Sequence, residues 1–123
     1  MPKKRIAIIE DDQTLLKVTT SALTQAGYDV VSAVDGQAGL ALVLREHPDL
    51  VLMDILLPVL SGTEVLKALR QNAWGKDVKV IMFTNVSDSE YVSQAMELGA
   101  YIYLVKSAWK ISEVVEKVKE QIG

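Results

Sequence analysis

Five short apolar runs, each broken off at a polar residue and followed by a stretch of helical period, leave this chain few ways to fold. The runs are Ile6 to Ile9, Tyr28 to Val34, Leu50 to Asp54, Val78 to Phe83 and Tyr101 to Val105. Val51-Leu52-Met53 is continuous rather than alternating, which marks a strand covered on both faces. Between the runs, Leu15, Leu16, Val18, Ala22, Leu23 and Ala26 recur at three- and four-residue steps until Gly27 stops the helix. Asp35-Gly36 predicts a turn, and Ala38 to Arg45 a second helix in spite of Gly39, which costs it about 1 kcal/mol against alanine. Ser61-Gly62-Thr63-Glu64 has the spacing of a capping box and opens a third helix with Val65, Leu66, Leu69 and Ala73 on its apolar face. Ser87-Asp88-Ser89-Glu90 repeats that spacing before Val92, Ala95, Met96 and Gly99. Ile111 to Ile122 closes the series, with Val114, Val115, Val118 and Ile122 on one side.

Strand and helix in strict alternation predict an α/β fold, with a parallel sheet, right-handed crossovers and helices on both faces. Five strands in one domain, residues 1–123, predict a doubly wound sheet in the flavodoxin-like order 2-1-3-4-5. The ligand crevice of such a sheet lies outside the carboxyl ends of its first and third strands.

Composition narrows what that crevice holds. Half of the residues are hydrophobic and 24% are charged, as in a globular domain. The net charge of −3 and the absence of a basic stripe argue against direct nucleic-acid binding. Lys3, Lys4 and Arg5 are read as a solvated lead-in to the first strand. Ile6 to Ile9 is too short for a signal peptide or a membrane span, and the lack of cysteine suits a reducing compartment, so a cytoplasmic location is expected.

The strand ends carry the chemistry. Glu10-Asp11-Asp12 follows the first strand, Asp54 ends the third, Thr84 the fourth and Lys106 the fifth. In this topology all four ends meet at one edge, and carboxylates crowded there need a cation. Oxygen-only donors suit a hard divalent ion such as Mg2+, and no histidine or cysteine is near to suit zinc or copper. His47, the one histidine, is expected to be an exposed residue in a helix-ending turn. A carboxylate, a hydroxyl, an ammonium and a metal together make up a site for phosphoryl transfer, which depends on positioning and on neutralising the equatorial oxygens. Each residue alone has an ordinary explanation: a strand-ending turn, a solvated lysine, a threonine capping a turn. Four such explanations holding together at four strand ends is the less economical account.

In order and spacing, Ile8-Ile9-Glu10-Asp11-Asp12, Asp54 to Pro58 with Gly62 beyond, Phe83-Thr84, and Gly99-Ala100 followed by Tyr103-Leu104-Val105-Lys106 resemble the receiver domains of two-component response regulators, including stand-alone chemotaxis-type receivers. The resemblance spans essentially the whole chain. It implies that Asp54 is the phosphoacceptor for a sensor histidine kinase or phosphotransfer protein. It implies Asp11 and Asp54 as direct Mg2+ ligands, with the Leu56 backbone carbonyl completing the shell and Glu10 acting through water. Asp12 either extends the acidic pair or caps the first helix. Thr84 and Lys106 are implied to hold the phosphoryl group, and Tyr103 to be the aromatic that turns inward as Thr84 moves. The face of the fourth helix, fifth strand and fifth helix would then be the output surface for a partner or effector. Tyr101, two residues from Tyr103, is read as an ordinary edge aromatic.

The departures are as specific as the matches. Family members usually follow the lysine with a cis-proline; Ser107 stands here, which predicts either a trans bond with a rebuilt loop or a strained cis bond. Trp109 is expected to cover apolar surface beside the last helix. Asn85 replaces a commonly small residue, and its amide is placed to reach the phosphoryl group or its attacking water. Leu56 and Val86 make apolar walls along that water's approach, so slow autodephosphorylation is expected. A signalling switch turning over no separate substrate is thus the leading assignment, either standing alone or as the amino-terminal part of a longer regulator. A non-phosphorylated adaptor that only binds partners is the alternative, disfavoured because Asp11, Asp54 and Lys106 are all present. An aspartyl-phosphate phosphatase usually carries a second aspartate where Leu56 stands. A flavin carrier would need a phosphate loop where Glu10, Asp11 and Asp12 would repel the flavin phosphate.

Overall fold

The computed structural model describes residues 3–123; Met1 and Pro2 of the basic lead-in lie outside the described residues. Five strands, β1 (Arg5–Ile9), β2 (Asp29–Ala33), β3 (Leu50–Met53), β4 (Lys79–Thr84) and β5 (Ile102–Val105), form one sheet in the order β2-β1-β3-β4-β5, all pairs parallel. Five helices alternate with them: α1 (Gln13–Gln25), α2 (Gly36–Glu46), α3 (Gly62–Arg70), α4 (Ser89–Glu97) and α5 (Ile111–Ile122). This is the predicted order.

Successive strand residues point to opposite faces, so the central strands feed two cores. Ile6, Ile8, Leu50, Leu52, Ile81 and Phe83 pack with Leu23 of α1 and Val114, Val115 and Val118 of α5. Ala7, Ile9, Val51, Met53, Val80 and Met82 pack with Val43 of α2, Val65, Leu66 and Leu69 of α3 and Ala95 of α4. Both faces of β3 are sealed, which is why its residues show no alternation.

Several local expectations change. Asp35-Gly36 is not a free turn: Asp35 caps α2 through the Ala38 N–H at 2.7 Å, and Gly36 is the first helical residue. Ser61 caps α3 through the Glu64 N–H at 3.1 Å. The spacing at Ser87 forms no cap, because α4 starts at Ser89 and its N-cap, Asp88, makes no side-chain bond. Val18 and Met96 are about half exposed rather than core; Thr19 and Ala95 take the inward positions. Ala73 and Gly99 fall beyond the ends of α3 and α4. Arg5 is more than a lead-in: it opens β1 and pairs with Glu46 at 3.0 Å. His47 is exposed as expected, but it also closes α2 in the left-handed region (φ 47°) and stacks on Trp74 at 4.1 Å.

Arg70, at the end of α3, joins separate segments. Its guanidinium donates to the carbonyls of Gly75 (2.8 Å), Val78 (2.9 Å), Leu98 (2.6 Å) and Gly99 (3.0 Å). Backbone oxygens in the connection from α3 to β4 and just beyond the end of α4 are satisfied by one side chain.

Candidate functional site

The parallel sheet brings the carboxyl ends of β1, β3, β4 and β5 to one rim, and the neighbouring strands hold the first residues beyond them. The Glu10 N–H donates to the Ala33 carbonyl at 3.1 Å, and the Asp54 N–H to the Ile9 carbonyl at 3.1 Å. The start of α3 closes in from the side: the Gly62 N–H donates to the Ile55 carbonyl at 2.8 Å. A Cβ on Gly62 would stand 2.0 Å from the Asp54 carbonyl oxygen, so only glycine allows this approach.

Lys106 lies at the centre of the rim. Its ammonium is 2.6 Å from Glu10 Oε1 and 2.6 Å from Asp54 Oδ2, and 5.9 Å from the centre of the Phe83 ring. The second oxygens of both acids are also engaged: Glu10 Oε2 accepts from the Asp12 N–H at 3.2 Å, and Asp54 Oδ1 from the Leu56 N–H at 3.3 Å. Burial pushes the Glu10 carboxyl above its usual range, only partly offset by Lys106. Burial also works against the charge on Lys106, but its hydrogen bonds to Asp54 and Glu10 prevail and hold its pKa above the usual lysine value.

Oxygens of Glu10, Asp11 and Asp54 lie within 4.8 Å of one another, with Glu10 and Asp54 buried and Asp11 exposed. This all-oxygen donor set fits a hard divalent ion. Glu10 and Asp54 each have both oxygens bonded within the protein, whereas Asp11 faces solvent. Asp12 resolves toward its capping alternative: its Oδ1 accepts from the Leu15 N–H at 3.1 Å.

Thr84 is fully buried, and its Oγ1 accepts from the Val86 N–H at 3.3 Å. Tyr103 is half-buried against the core of α2, α3 and α4, and its hydroxyl donates to the Val86 carbonyl. Burial, then the charges of Asp54 and Asp88, raise the Tyr103 pKa. The Val86 backbone thus joins Thr84 to Tyr103 through its N–H and its carbonyl, which belong to successive peptide groups. Sequence reasoning assigned Val86 only an apolar wall, and no side-chain signal marks a role carried by backbone. Leu56 is 63% exposed at the mouth of the site. Tyr101 is an exposed edge residue with the Lys79 ammonium 5.7 Å from its ring centre.

The described residues contain no cis peptide bond, so Lys106-Ser107 is trans, and Lys106–Ala108 forms a 3-10 turn. Asn85 Oδ1 accepts from the Ser107 N–H at 3.1 Å. Trp109 packs in the core of α1 and α5, with Lys117 above its ring at 5.5 Å. Beside Lys106 an open groove of about 400 Å³ runs between Asn85, Ser107 and α1, and Val18 lines it.

Residues 6–119 match the family model for the response regulator receiver domain. The probable transcriptional regulator ycf27 of Porphyridium aerugineum is 40% identical over 106 residues, 86% of this chain and 43% of that protein. The DNA-binding dual master transcriptional regulator RpaA of Synechocystis sp. is 36% identical over 115 residues, 94% of this chain and 47% of that protein. This chain therefore spans about half the length of these curated relatives. Among solved structures, a CheY-like response regulator receiver domain protein from Methanospirillum hungatei JF-1 superposes with a TM-score of 0.90 at 34% identity, covering 97% of this chain and 93% of that one.

Proposed function

Given that this chain belongs to the response regulator receiver domain family of two-component systems, we propose that it is a switch phosphorylated on Asp54 by a sensor histidine kinase or phosphotransfer protein. The observation that carries the assignment is the Lys106 ammonium, 2.6 Å from both Glu10 and Asp54 at the rim where the strands end.

An Asp54 carboxylate oxygen attacks the phosphorus of the donor, an acyl–phosphate bond forms, and the donor's bond to phosphorus breaks with its electron pair leaving on the donor. Asp11 and Asp54, the Leu56 carbonyl and Glu10 through water would hold Mg2+, which when bound neutralises charge on the transferring oxygens. Lys106 supplies a second positive charge and moves from Asp54 Oδ2 to a phosphoryl oxygen. The Thr84 hydroxyl turns from the Val86 N–H toward another. Because the Val86 carbonyl takes the Tyr103 hydroxyl, that turn disturbs the contact holding Tyr103. The α4, β5 and α5 face then changes for a partner or effector.

The protein acts only in its own phosphorylation and dephosphorylation, without a separate substrate. No helix among the described residues is long and apolar enough to cross a membrane; a cytoplasmic site is proposed from the family alone. That this domain itself makes no nucleic-acid contact rests on its charge of −3. RpaA is named a DNA-binding regulator, and this chain matches only 47% of it.

Intact-mass spectrometry after incubation with acetyl phosphate, with and without Mg2+, tests the assignment. The wild type is expected to gain one phosphoryl mass only with Mg2+, and Asp54→Ala none. No gain in the wild type would turn the assignment to a partner-binding adaptor. Decay of the gained mass tests the apolar walls at Leu56 and Val86: a half-life well beyond seconds is expected, and decay within seconds refutes water exclusion there.

A further inference from the structure

Strands β4 and β5 pair as far as Thr84 and Val105, and then separate. Asn85 enters the loop toward α4, and Lys106–Ala108 coils into the 3-10 turn, which has no local side-chain cap. The first N–H groups of a helical turn lack partners within it. One of them, the Ser107 N–H, donates to Asn85 Oδ1 at 3.1 Å across the gap between the two loops. Since the donor is an N–H, the Asn85 atom facing it is the carbonyl oxygen, which fixes the amide's orientation. The bond acts as one more rung beyond Thr84 and Val105, made by a side chain after the backbones diverge. It grips the peptide group that directly follows Lys106.

We propose that Asn85 is a positioning residue for Lys106, acting through the Ser107 N–H. The lysine stem is flexible, with several rotatable bonds. Its ammonium sits 2.6 Å from both Glu10 and Asp54, and a fixed backbone at Lys106 reduces the freedom that this double contact must overcome. A proline at residue 107 has no N–H to offer, so the two residues work as a pair: Ser107 supplies the donor, and Asn85 the cap that its turn lacks. With Oδ1 engaged there, the contact by which Asn85 serves the site is the one that places the lysine. The inference rests on Lys106 acting as proposed above, and its test is built to fail separately.

The test uses Asn85→Ala, Ser107→Pro and the double variant, with melting curves to show that each is folded. In 15N-labelled protein without any phosphodonor, Asn85→Ala is expected to shift the Lys106 ammonium signal and to speed hydrogen exchange of the Ser107 amide about fivefold, roughly what one hydrogen bond contributes. With acetyl phosphate and Mg2+, Asn85→Ala is expected to slow the gain of phosphoryl mass by about the same factor. The same substitution made on Ser107→Pro should change that rate by less than about twofold, because the partner is already gone. An unmoved Lys106 signal in Asn85→Ala overturns the proposal. So does an equal rate effect in both backgrounds, which would put Asn85 on the phosphoryl group or its water. If the wild type takes up no phosphoryl group, the function assigned above fails, and the Lys106 signal alone decides the pairing. Should Ser107→Pro not fold, that signal in Asn85→Ala decides it.

Discussion

Val59 is the most strained residue of the site's surroundings. It sits five positions after Asp54 with φ 72°, a conformation that opposes a β-branched side chain, and it is 70% exposed. Nothing packed compensates for that geometry. Val59→Gly is therefore expected to raise stability by about 1 kcal/mol, read as a higher urea midpoint with an unchanged slope. At this scale the sequence was most legible where a charged residue interrupts an apolar run: Asp54 and Lys106 stand out because β3 and β5 are otherwise hydrophobic. It was least legible where backbone acts. The Val86 backbone between Thr84 and Tyr103, and the Ser107 amide held by Asn85, use carbonyls that every residue has and N–H groups that every residue but proline has.

The helices differ in how they begin. Asp35 and Ser61 hold the first turns of α2 and α3 with side-chain bonds, while Asp88 makes none at the start of α4. Asp35→Ala and Ser61→Ala are each expected to cost about 1 kcal/mol in urea unfolding, and Asp88→Ala only a few tenths. The serine-x-x-glutamate spacing was the same before α3 and α4, so spacing alone did not separate them. What separates them is burial: Val65, Leu66 and Leu69 pull α3 into the core, whereas α4 contributes only Ala95 as a fully buried residue. A helix with a weakly anchored start suits an element that must move. The strands were legible almost to the residue, because continuous apolar runs have sharp ends. The inward faces of α1 and α4 were not, because Val18 and Met96 fit the helical period yet look out to solvent.

Over the whole molecule, burial lowers the pKa of the Arg70 guanidinium, while the raised titrations of Tyr28, Tyr103, Lys106 and Glu10 act in the opposite direction. Burial raises Tyr28 above 10.0, with help from the charge of Glu116, and raises Tyr103 likewise. Lys106 lies above 10.5 because its two carboxylate bonds outweigh burial. In each case the folded state holds its proton more tightly than the unfolded chain. Their stabilisation is complete below the unfolded values and is lost as pH rises through the folded ones. The raised Glu10 carboxyl has the same sign at lower pH, losing stability upward from 4.5. Urea midpoints are expected to fall steadily above about pH 10, and Tyr28→Phe to flatten part of that fall. A midpoint that held level through the tyrosine range would contradict this.

Arg70 grips four carbonyls and no side chain. Leucine 98 or valine 78 can be exchanged for almost any residue without removing the oxygen that Arg70 needs. In a large collection of descendants of this protein, those two positions would drift while the arginine stayed. Correlated substitution, which betrays most long-range contacts, would leave this one silent, although it joins segments 28 residues apart in the chain.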